Sequence, residues 1–266
     1  MQVMRAPAAV GWKWVGEGFA LLRRRPLALL GLTVLFFFSL IVPSILPLVG
    51  PFAPLVLMPA LSVGYMQAVR TAEGGRMPSP WSLYDPLRAK RGRGARPLLM
   101  LGLIYAGLTA LSLALSALAD GGTLFRAATG SLESDDPALS QGGIAFSALM
   151  FLLIYTPVQM AMWYAPMFVA WHGRDPVQAM FYSLIGVWRN KAVFVVYLLG
   201  WVAVFVGLGV AVRLLGALLP PALLPMLLSP LMLVMAAAIY CSFWPSYRDV
   251  VVDGPGGGPP VLPPAA

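Results

Sequence analysis

Between its charged residues the chain runs in long apolar stretches whose lengths predict membrane-spanning helices. From Pro26 to Val69 there are 44 residues without a formal charge, about twice the ~20 that one bilayer crossing needs. Pro43, Pro47, Gly50, Pro51 and Pro54 fall in the middle, where helix-breaking residues divide the stretch in two. Spans are expected at about 27–46 and 55–69, and further apolar stretches predict spans at about 98–119, 144–171, 193–212 and 223–244. The fourth is longer than a straight crossing requires and carries Pro157 and Pro166, so it should kink or tilt. The predicted fold is all-α: one transmembrane helical bundle of six helices over residues 1–252, with a Gly- and Pro-rich tail, 253–266, expected to be disordered.

A basic, partly aromatic segment precedes the first, third and fifth spans. In Gly11 to Arg25, Trp12, Val15, Phe19 and Leu22 recur at three- and four-residue spacing; in Pro176 to Lys191, Ala179, Tyr182, Ile185 and Trp188 recur every third residue; Trp81 to Arg96 is the remaining segment. The pattern predicts amphipathic helices in the membrane interface. Their cations, Arg23, Arg24, Arg25, Arg88, Lys90, Arg91, Arg93, Arg96, Arg189 and Lys191, would contact anionic lipid headgroups. Linkers anchored by Trp and Tyr would show the same composition.

The basic residues also set an expected orientation. The N-terminal segment holds five Lys and Arg, the 70–96 loop seven, the 172–191 segment three and the C-terminal end one, whereas Arg126 and Arg213 alone fall on the opposite side of a six-helix chain. Cytoplasmic loops retain Lys and Arg, so both termini should be cytoplasmic. Met1 to Arg25 carries Trp12, Lys13, Trp14, Glu17 and the Arg23 to Arg25 cluster before any long apolar run begins, which does not suit a cleaved signal, so the first span should serve as its own insertion signal.

An internal repeat is also suggested. Arg25 to Leu32 matches Arg96 to Leu103 at six of eight positions, and Pro54 and Pro59 share the spacing of Pro225 and Pro230. Each unit would be an interfacial segment followed by a helical hairpin, in parallel orientation. Leu-rich sequence also matches itself by chance.

Composition narrows the function. The chain is 59% hydrophobic and 11% charged, against about 25% charged for a soluble domain, and its net charge of +8 follows from the loops rather than from a nucleic-acid-binding motif. One cysteine, Cys241, and one histidine, His172, allow neither an intrachain disulfide nor a metal-ligand cluster. No cofactor or metal is expected, and no nucleic-acid partner. The spans carry no ionisable residue near their midpoints, which argues against proton relays, ion pumps and voltage sensors. No nucleophile and base pair up by spacing, and the chain is not expected to be an enzyme.

The most polar membrane stretch holds Tyr155, Thr156, Gln159, Trp163 and Tyr164 around Pro157. These residues either line a cavity beside a weakened helix or hydrogen-bond across helices as packing contacts. In the third span Gly102, Ala106, Ala110 and Ala114 form a stripe with Ser112 and Ser116 beside it, a face for close helix packing. Asp120, Glu133, Asp135 and Asp136 mark a polar loop that could hold a cation weakly, without the spacing of a calcium loop.

Several segments together resemble a known group: GWKWVGEGF (11–19) with RRRPLALLGL (23–32), and MWYAPMFVAW (162–171) with QAMFYSLIGVWRNKAVFVVYLLGW (178–201). They are similar to an uncharacterised family of proteobacterial, mainly betaproteobacterial, multi-pass inner-membrane proteins. The resemblance implies a bacterial cytoplasmic membrane and transfers no catalytic residue. Two functions fit: a non-catalytic scaffold or assembly protein with a membrane-protein partner or a second copy of itself, or a transporter or channel for a small neutral or lipidic solute.

Overall fold

A computed structural model describes residues 2–46, 50, 52–88, 95–128, 143–216 and 223–252. Its helices are α1 (Val10–Arg24), α2 (Pro26–Ser44), α3 (Ala53–Glu73), α4 (Asp85–Arg88), α5 (Ala95–Asp120), α6 (Thr123–Ala128), α7 (Gly143–Met162), α8 (Ala165–His172), α9 (Pro176–Arg189), α10 (Lys191–Gly216) and α11 (Leu223–Val250), with a 3-10 turn at Pro80–Tyr84. Two short strands, β1 (Gln2–Val3) and β2 (Val251–Val252), pair antiparallel and bring the two ends of the described chain together. Most of the acidic loop, the 253–266 tail, and Lys90, Arg91 and Arg93 lie outside the described residues.

Five helical stretches are long and apolar enough to cross a bilayer: Pro26–Ser44, Ala95–Leu118, Ala148–His172, Lys191–Gly216 and Leu223–Val250. The expected span at 55–69 forms α3, which is not among them because Gln67, Arg70, Thr71 and Glu73 occupy its last turns. Instead α3 is the central helix, packed by α2, α5, α8, α11 and the 3-10 turn, and most of Pro59 to Ala72 is buried. Surrounded by protein rather than lipid, it tolerates polar residues that a lipid-facing helix excludes. Two glycines allow its close contacts. A methyl group on Gly64 would run into the Leu83 backbone, and one on Gly102 of α5 into the Val56 backbone. The small-residue stripe of α5 continues inward at Ala106, whereas Ala110 and Ala114 are exposed.

The three basic segments differ in form. α1 lies across one end of the bundle. Gly11 abuts the start of α10, Gly18 meets Ala238 and Ser242 of α11, and the Arg24 guanidinium donates to the Glu73 carbonyl. Between Tyr84 and Ala95 no long helix is described: Pro80–Tyr84 and α4 wedge against α2 and α3, with the Tyr84 hydroxyl 2.6 Å from that of Ser39. α9 is helical as expected, but Ala179 is buried while Tyr182, Ile185 and Trp188 are exposed with Val177 and Phe181. A three-residue repeat drifts around a 3.6-residue helix, so its members diverge between two faces.

The kink expected in the fourth span falls at Trp163 and Tyr164, between α7 and α8; Pro157 remains inside α7. Pro166, second in α8, has no N–H and crowds the preceding turn. The backbone groups freed there are taken by Ser183 of α9, whose Oγ accepts from the Tyr164 N–H at 2.9 Å and donates to the Met160 carbonyl at 2.8 Å.

Candidate functional site

The five polar residues singled out in the 144–171 stretch separate into groups. Tyr155 and Gln159 are joined through Tyr105 of α5: the two tyrosine hydroxyls are 2.5 Å apart, and Tyr105 donates to Gln159 Oε1 at 3.1 Å. Thr156 is exposed and donates to the Leu152 carbonyl of its own helix. Trp163 packs edge-to-face on Phe243, their centroids 4.9 Å apart. Tyr164 is fully buried, and its hydroxyl donates to the Ser246 carbonyl at 2.9 Å. Tyr155 and Gln159 therefore link α7 to α5, while Tyr164 fastens α11.

The same Gln159 stands on the wall of a cavity of about 240 Å³ formed by α3, α5, α7, α8 and α11. Met58, Met66, Met162, Ile239 and Phe243 make much of its surface, with Tyr65, Tyr105 and Tyr240 beside them. Such a lining suits an apolar ligand held by few polar contacts.

A second constellation gathers at the end of the bundle where β1 and β2 pair. Arg248 donates to Glu17 of α1 and to Glu73 of α3, each at 2.8 Å, and to its neighbour Asp249 at 3.1 Å. Trp14 donates to the other Asp249 oxygen at 3.0 Å, and Trp244 donates to Glu73. A planar guanidinium with five donors suits such a three-way junction. Beside it His172 Nε2 lies 2.7 Å from the Tyr247 hydroxyl, and the Phe168 ring stands edge-on to the imidazole. Asn190 fastens the N-terminal segment: its amide accepts from the Ala6 N–H and donates to the Met4 and Gly186 carbonyls.

The described cations among those expected at lipid headgroups differ in their contacts. Arg24 and Arg25 donate to the carbonyls of Glu73 and Gly75, at the C-terminus of α3, where the helix dipole favours positive charge. Arg23, Arg96 and Arg189 are exposed. Arg88 lies over Trp81 and Lys191 over Trp188, at 5.2 and 4.9 Å from the ring centroids. Tyr105, Ser183, Glu73 and Arg248 carry key contacts without any sequence signal, since each is an ordinary residue until its distant partner is known.

Aligned over 267 residues, 99% of this chain and 98% of the other, the sequence is 37% identical to a probable inner membrane protein of Burkholderia thailandensis. No family model and no solved structure matches the chain.

Proposed function

The chain belongs to the family of this Burkholderia probable inner membrane protein, and on that premise we propose that it is a non-catalytic interaction protein, a scaffold or assembly factor for other membrane components. One observation carries the reading. Within the described residues α10 is held by α1 and α9, by the hydrogen bond between Tyr197 and Ser242 of α11 and by Phe194 against Trp163 and Tyr164, and its backbone makes no extended contact with α2, α3, α5, α7 or α11. Val202, Phe205, Val206, Val210 and Leu214 are exposed along it, and among the described residues nothing lies within 4 Å of a methyl group placed on Gly207 or Gly209. Small residues on an uncovered spanning helix allow a second helix to approach closely, so this flank suits a membrane-protein partner or a second copy.

The accompanying topology is six crossings, α3 counted as the sixth, with both termini cytoplasmic. In support, the β1 and β2 pairing sets Gln2–Val3 beside Val251–Val252, and only an even number of crossings returns a chain to its starting side. α9 fits the interfacial role: Phe181 and Trp188 are exposed, and Arg174 and Lys191 stand over Tyr182 and Trp188.

A photoreactive residue at Val206, activated in intact cells, tests the interaction. A discrete cross-linked species containing a second protein, or a second copy, is expected. A protein that stays uncross-linked at Val206 and purifies in mild detergent as a monodisperse monomer overturns the reading.

A further inference from the structure

The cavity beside Gln159 supports an inference that does not depend on the α10 interface. Tyr105 lies ten residues from Ala95 at the start of α5 and holds Gln159 beside it. At 1.5 Å per residue the pair sits about 15 Å along α5, near the middle of a ~30 Å hydrocarbon layer. At this depth the molecules outside the bundle are lipids.

Within that apolar wall the Gln159 amide is only half engaged. Its Oε1 accepts from Tyr105, while Nε2 has no hydrogen-bond partner among the described residues and the side chain is exposed. The Tyr240 hydroxyl on the opposite wall likewise lacks one among the described residues, and it lines the same cavity. In hydrocarbon no water is at hand to satisfy an amide N–H, so a ligand that offers an acceptor gains a bond at little desolvation cost. The cavity also has a lateral approach: α7 and α11 make no extended contact with each other, and Trp163 against Phe243 joins these walls at one end. Met58, Met66 and Met162 supply flexible, polarizable side chains that adapt to a chain of variable shape.

We propose that this cavity binds a lipidic molecule entering from the bilayer between α7 and α11, its carbonyl oxygen accepting from Gln159 Nε2 and its hydrocarbon chain lying against the methionines. The acceptor is an uncharged ester or ketone, because no cation lines the cavity to neutralise a carboxylate.

The test uses the full chain in lipid nanodiscs with two probes: a long-chain fatty acid methyl ester carrying a mid-chain diazirine, and the matching diazirine alkane. Ester adducts should concentrate on peptides of α3, α7 and α11 that line the cavity. Gln159→Leu should lower ester labelling there about fivefold, the loss of one hydrogen bond, and leave alkane labelling unchanged. Met162→Trp, which fills the cavity and leaves Gln159 in place, should lower labelling by both probes. Ester adducts spread evenly over the exposed face of α10, or ester labelling in the cavity unaffected by Gln159→Leu, would overturn the proposal.

Discussion

The Ser183 hydroxyl stands in the helical hydrogen bond that Tyr164 would otherwise make with Met160. The Tyr164 N–H donates to Ser183 Oγ at 2.9 Å, and the same oxygen donates onward to the Met160 carbonyl at 2.8 Å. A side chain inserted in this way is one of the recognised causes of a sharp helix bend. Here it turns α8 away from α7, and the turn seats Tyr164 among Phe194 and Tyr247 while Trp163 faces the cavity.

Ser183→Ala should therefore destabilise the protein by roughly 1–3 kcal/mol, because a buried donor and a buried acceptor lose their partners together. Thermal unfolding in detergent, followed by tryptophan fluorescence, measures this; a melting temperature equal to wild type would remove the bridging role.

Arg248→Met should release the joint between α1, α3 and α11 and leave Glu17, Glu73 and Asp249 without their shared cation. The arginine side chain is 36% exposed, so the expected loss is on the order of 1–2 kcal/mol rather than that of a fully buried pair. The gap in melting temperature between wild type and variant should narrow as salt approaches 1 M, where the screening length falls to about 3 Å.

Two glycines of α5 should respond oppositely to alanine. At Gly102 the added methyl meets the Val56 backbone, which cannot step aside as a side chain can, and a loss of roughly 1–3 kcal/mol or more is expected. At Gly107 the methyl finds nothing within 4 Å, so stability should be unchanged or gain up to about 1 kcal/mol from helix propensity. Equal melting temperatures for the two variants would contradict the close approach of α5 to α3.

Cysteine accessibility checks the proposed topology. The native Cys241 is buried and should stay silent to a membrane-impermeant maleimide. Cysteine at Asp135 should react in intact spheroplasts. Cysteine at Lys13, whose side chain is 65% exposed, should react only after lysis. The reverse pattern would invert the chain in the membrane.

The spans expected at 98–119, 193–212 and 223–244 each lie within an observed helix, as α5, α10 and α11, because apolarity over about twenty residues is a local property that lipid rewards directly. α3 was legible as a helix but not as the buried centre, since its burial depends on which other elements surround it. Gln159 and Tyr155 stood out as polar residues in an apolar stretch. Tyr105, 54 residues from Gln159 in sequence, did not, because one tyrosine among leucines and alanines has no feature of its own until the helices dock. The kink was expected from Pro157 and Pro166, and its place was decided by Ser183, on another helix.

By itself the sequence determined the solvent of this protein, its all-helical class and the approximate extent of several apolar helices, because hydrocarbon acts on each segment separately according to its own composition. Which faces meet, where the fourth span bends, that Arg248 joins three helices and that Gln159 borders a cavity were decided only in the tertiary structure. Those contacts depend on pairs of residues far apart in the chain, and no single stretch contains both partners.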